Sequence, residues 1–175
     1  MTRLKRTFVI AVTIAVCYIL QFIVFPRIPH LVAVPNMLLC AAISIGFLYG
    51  RTVGLASGIV CGLLWDILGM GIPGFYTLLF AWLGYLNGLI SEKLESEIIV
   101  VLFLFLAVNE AVFHAYVFGL GYLFNKRFAF SAYVTEVFLP ELVLSLIAFI
   151  VIHGVLLFIS RKWDLRINKG EVVVV

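Results

Sequence analysis

Charge is what this chain has least of: Asp, Glu, Lys and Arg make up 12% of its 175 residues, about half the share usual in a soluble domain. No long polar segment precedes the tail, so there is no room for a separate soluble domain. The net charge is only +3 and the basic residues sit at the ends of apolar stretches, which leaves no basic face for nucleic acid. Cysteine is scarce and odd in number. Cys17, Cys40 and Cys61 all fall inside apolar runs and read as small-residue filler rather than as a disulfide or a metal site. Ser44, Ser57 and Ser145 have no His and Asp set at matching depth, so nothing resembles a base-activated nucleophile and neither an enzyme nor a cofactor is expected.

What the chain does have is apolar length. Hydrophobic residues are 65% of the sequence and the mean hydropathy is +1.22, the composition of an integral membrane protein. Six stretches can be drawn: Thr7 to Phe25, Leu31 to Tyr49, Thr52 to Leu68, Ile72 to Ile90, Ile98 to Phe124 and Tyr133 to Ile159. The expected fold is all-α, one membrane domain over residues 1–175 built as a bundle of six transmembrane helices. The first stretch has the basic start of a signal peptide, but its apolar run is too long and lacks a small-x-small site before Pro26, so it is expected to stay as an anchor.

Lys and Arg set the orientation. With a cytoplasmic N-terminus, Arg3, Lys5, Arg6, Arg51, Lys93, Arg161, Lys162, Arg166 and Lys169 lie inside, and Arg27, Lys126 and Arg127 outside. Both ends are therefore expected in the cytoplasm. One local conflict is the loop Ser91 to Glu97, with one Lys and three Glu on the inner side. The tail from Arg161 reads either as an interfacial segment or as a docking strand.

Glycine recurs every fourth residue at Gly46, Gly50, Gly54, Gly58 and Gly62, and Asp66 takes the next place. Steps of four drift by only about 40° around a helix, so Gly54, Gly58, Gly62 and Asp66 form one stripe. In lipid such a stripe lets a neighbouring backbone approach closely. Gly46 and Gly50 belong to the second stretch and its turn, so the continuous seam is assigned to the third stretch alone. It is expected to take a helix, either its own neighbour or one from a partner. Gly84 and Gly88 carry the theme into the fourth stretch, and short connections predict that the second, third and fourth helices form one compact unit. Asp66 has two readings: a carboxylate capping the Gly-rich turn and the start of the fourth helix around Ile72 to Gly74, or a receptor for a partner's basic group. Pro35-Asn36 opens the second stretch, where Asn36 can satisfy free amides or reach toward Asp66.

Ionisable groups inside a bilayer are expensive, so each calls for a partner or a purpose. Span direction places Gln21, Asn36, Asp66, His114, Glu136 and Glu141 toward the outer side and Asn109 and Glu110 near the middle, concentrating polarity in the outer half. Glu110 and His114 are four apart on one face, and Glu141, just after Pro140, lies at a depth similar to His114. Three readings stand for this set: hydrogen bonding between the fifth and sixth helices, a proton or solute path, or a metal site. No recognised ligand spacing accompanies the last. His153, alone near the inner end, reads as a packed or interfacial residue rather than a ligand.

These residues also carry a family resemblance. The basic N-terminus, Leu20-Gln21, Pro35-Asn36-Met37-Leu38-Leu39, Gly50-Arg51, the run Gly54 to Gly62, Gly62-Leu63-Leu64-Trp65-Asp66, Gly74 and Gly84-Tyr85-Leu86-Asn87-Gly88 resemble the rod shape-determining protein MreD family. The likeness is specific over Leu20 to Gly88; the fifth and sixth stretches match only in hydrophobic character. It implies a non-enzymatic component of the bacterial cell elongation machinery in the inner membrane, working with MreC, the actin-like MreB and the peptidoglycan glycosyltransferase and transpeptidase. It also implies a fold similar to the S components of energy-coupling-factor transporters, which supplies an alternative: a vitamin-type solute-binding subunit. The glycine seam, Asp66, Pro35, Asn36 and Gly74 are then the candidate partner-binding and packing residues.

Overall fold

The computed structural model describes residues 2–29, 33–68, 74–93, 99–125 and 130–162. All regular elements among them are helical. Helix α1 (Thr2–Ile19) runs on through a π-helical turn (Leu20–Val24) and a 3-10 turn (Phe25–Arg27). Helices α2 (Met37–Tyr49), α3 (Arg51–Leu68), α4 (Phe75–Lys93) and α5 (Ile99–Asn125) follow. A short α6 (Phe130–Tyr133) passes through a second π turn (Val134–Phe138) into α7 (Leu139–Lys162). Among the described residues, three stretches are long and apolar enough to cross a membrane: Leu4–Arg27, Leu102–Gly119 and Val134–Lys162. Their outward faces are apolar, with Phe8, Leu104 and Phe158 all exposed, as lipid contact requires.

The second expected stretch is the main departure. Its helix begins at Met37, not Leu31, and its 13 residues reach about 20 Å against a hydrocarbon core of about 30 Å. Pro35 explains the late start, because proline has no amide proton and drives the preceding residue out of helical space. Residues 33–36 are non-helical, and Pro35 and Asn36 are buried. Broken backbone at membrane depth is tolerated only inside protein. Accordingly every residue of α2 is buried, and α1, α3, α4, α5 and α7 all pack around it. It is the core of the bundle.

The freed amides at the start of α2 find partners on two other helices. Gln21 in the first π turn accepts from the Leu38 amide (2.9 Å), and the Asn36 side chain accepts from Leu39 (3.3 Å). The Asn36 amide donates to the Ser145 hydroxyl on α7 (2.9 Å). Asn36 thus ties α2 to α7, and none of these bonds goes to Asp66.

A one-residue turn at Gly50, with φ of +83°, reverses the chain into α3. Only glycine adopts that conformation without strain. Helices α3 and α4 then make the most extensive pairing in the molecule. Their register is antiparallel and glycine-lined: a Cβ on Gly88 would strike Arg51 and Gly50, on Gly84 the Gly54 carbonyl, on Gly58 the Phe80 carbonyl, and on Gly62 Tyr76 and Thr77. The seam is therefore occupied by the chain's own α4. Gly46 joins it as well, lying against Gly54, Gly84 and Gly88. The seam therefore joins three helices and is not confined to the third.

Candidate functional site

Each four-residue step along α3 meets a four-residue step back along α4, so the place after Gly62 faces the first turn of α4. Asp66 occupies that place. Its carboxylate accepts from the amides of Gly74 (3.0 Å), Tyr76 (3.2 Å) and Thr77 (3.0 Å), and from the Thr77 hydroxyl. Negative charge is favoured there by the helix dipole, and the bonds satisfy amides that have no intrahelical partner. The capped amides are those of Gly74, Tyr76 and Thr77, and α4 begins at Phe75, three residues after Ile72, which lies outside the described residues. Gly74 takes a φ of +93° to make the turn.

The opposite end of the same hairpin mirrors this. Glu92, near the end of α4, accepts from the Arg51 amide at the start of α3 (3.1 Å), with the Arg51 guanidinium 3.7 Å away. A carboxylate from each helix caps the other. This removes the charge conflict noted for the Ser91 to Glu97 loop as far as Glu92 is concerned; Glu95 and Glu97 lie outside the described residues.

Polar groups are not confined to the Asp66 end. Asn87 on α4 and Asn109 on α5 exchange amide bonds of 2.7 and 3.1 Å, and each also donates to a carbonyl one turn earlier, Leu83 and Phe105. Ser91 donates to the Phe47 carbonyl of α2. The outer-half concentration of polarity is thus corrected: a buried polar layer exists toward the Gly50 end too. Asn87 was visible only as part of the motif Gly84 to Gly88; its pairing with Asn109 depends on a helix contact that no sequence spacing encodes.

At the Asp66 end the two π turns frame a cavity of about 460 Å³. Gln21 and Phe22 come from the first and Pro26 from the 3-10 turn after it; Glu136 and Val137 come from the second, flanked by Tyr133 at the end of α6 and Glu141 at the start of α7. Each π turn ends two residues before a proline, Pro26 or Pro140. The wider turn accommodates the ring and re-aims the side chains around it. Trp65 forms part of the wall, in ring contact with Phe22, Tyr76, Phe80 and Phe113.

His114 stands at the base of the cavity. Its Nε2 is 3.6 Å from a Glu110 oxygen on the same helix and 3.6 Å from a Glu141 oxygen on α7, and its Nδ1 is 3.0 Å from the Tyr133 hydroxyl. Glu110 is fully buried and His114 nearly so. The distances of 3.6 Å are too long for hydrogen bonds. The three side chains converge at distances just too long for hydrogen bonds among themselves, with Ser145 of α7 beside Glu110. His153 stacks on Phe149 and meets the edge of Phe47, buried as a packed residue. The three cysteines are buried free thiols. Residues beyond Lys162, with most of the tail, lie outside the described residues.

A comparison with family models matches the rod shape-determining protein MreD over residues 1–162. Comparisons with curated proteins and with solved structures returned no match. They add nothing to the likeness to transporter S components. The family match, by contrast, reaches past Gly88 through α5 and α7, where only hydrophobic character had agreed. The chain belongs to the MreD family of rod shape-determining membrane proteins.

Proposed function

We propose that this chain is a non-enzymatic scaffold of the bacterial cell elongation machinery that binds MreC in the inner membrane. Through MreC it joins MreB and the peptidoglycan synthases, with both termini cytoplasmic. The observation that carries the reading is the family match over residues 1–162. The architecture supports it in two ways. A buried α2 gripped by five neighbours gives a rigid body suited to organising partners rather than to turnover. The glycine groove is filled by α4 and Asp66 is engaged in capping, so the single span of MreC is left the lipid-facing sides of the bundle. Affinity capture of the tagged full chain from native membranes, followed by mass spectrometry, is expected to recover MreC. A capture that retains no MreC under conditions where the chain stays folded removes the binding role. Reporter fusions at both ends test the topology; a periplasmic signal from either end overturns the assigned orientation.

A further inference from the structure

The convergence of Glu110, His114 and Glu141 has no role in the scaffold. All three are set inside the bundle, and their ligand atoms lie within 4.8 Å of one another. His114 Nε2 is buried without a hydrogen-bond partner, and both Glu110 oxygens are buried outside good hydrogen-bond geometry, with the Ser145 hydroxyl beside them. Orphaned ionisable atoms at membrane depth are costly unless something positive lies between them.

We propose that Glu110, His114 and Glu141 bind one divalent cation of the Zn²⁺ class at the base of the cavity. Four observations converge on it. Nε2 lies 3.6 Å from each carboxylate, and ligand atoms at the corners of a tetrahedron around Zn²⁺ stand about 3.3 to 3.5 Å apart. The Tyr133 hydroxyl stands 3.0 Å from Nδ1, where it can accept from Nδ1–H and so leave the Nε2 lone pair facing both carboxylates, the orienting contact that metal-bound imidazoles show. A dication cancels the charge of two carboxylates, leaving a neutral centre in a region of low dielectric. Finally, His114 and Glu141 line the cavity while Glu110 lies behind them, so an ion has a route in and its remaining coordination position can hold water. One imidazole with two carboxylates suits Zn²⁺ or Co²⁺. Mg²⁺ and Ca²⁺ need more oxygen ligands, and no thiolate is present for Cu⁺.

The test uses the full chain in lipid nanodiscs, stripped with a chelator and titrated with Co²⁺ and with Zn²⁺. One equivalent is expected, with the intense visible absorption of four-coordinate Co²⁺ and a raised thermal midpoint on Zn²⁺ addition. Glu110→Gln, His114→Gln and Glu141→Gln should each weaken Zn²⁺ binding at least tenfold, whereas Glu136→Gln, on the same cavity wall, should not. Wild-type chain that takes up no more metal than protein-free nanodiscs overturns the site and assigns the cluster to protons alone. Binding undiminished in all three variants overturns it equally. If a variant fails to fold, the wild-type stoichiometry, the absorption spectrum and the remaining variants decide.

Discussion

Of the two readings of Asp66, the capping one is visible in its hydrogen bonds. Three amides and a hydroxyl donate to its carboxylate, three of the four bonds through Oδ2, so its structural role is to cap α4. Removing a helix cap costs about 0.5 to 2 kcal/mol, so Asp66→Ala should lower stability by that amount, measured by unfolding in mixed micelles. Asp66→Asn, which keeps one acceptor oxygen, should lose less. The Asn87 and Asn109 pair makes a second prediction at this scale. Interhelical hydrogen bonds in membrane proteins contribute about 0.6 kcal/mol on average and up to about 1.7. A cycle of Asn87→Leu, Asn109→Leu and the double variant should give a coupling of that size; strict additivity would show that the pair does not hold α4 to α5.

The α3–α4 hairpin is the element in which the glycines act together. At Gly58 an added methyl would meet the Phe80 carbonyl and the Ala81 backbone, which cannot move aside as a flexible side chain could. Overpacking of this kind costs about 1 to 3 kcal/mol. Gly58→Ala should lower stability by that amount and Gly58→Leu should prise α3 from α4, read as lost protease resistance. Gly119 and Gly154 have open space where a Cβ would lie, so Gly154→Ala should stay within about 1 kcal/mol of wild type. Equal damage at Gly58 and Gly154 would mean that helix propensity, and not close backbone contact, decides. Helix α2 adds a different lesson: it is too short to span because Pro35 delays its start, and its buried amides are rescued by Gln21, Asn36 and Ser145 from three places in the chain.

At the scale of the molecule, a rigid core built around α2 carries a cavity framed by two proline-linked π turns. If MreC docks on the lipid-facing sides, Asp66→Asn chain that remains folded should capture MreC as well as wild type does. A loss of capture with the fold intact would return Asp66 to the interface.

Much of this was legible beforehand, because a bilayer imposes period and length on a sequence. Apolar stretches, the four-residue glycine ladder, the Glu110 and His114 spacing and the motifs from Leu20 to Gly88 are local patterns, and they determined an all-helical membrane protein of the MreD family. Tertiary structure alone decided which helix fills the seam, that Gly46 belongs to it, that Asp66 and Glu92 cap each other's helices, and that Glu141 meets His114 with no hydrogen bond between them. The physical reason is that each depends on the register of one helix against another. Register is set by the close approach of whole backbones, and a single stretch of sequence carries only its own half of that fit.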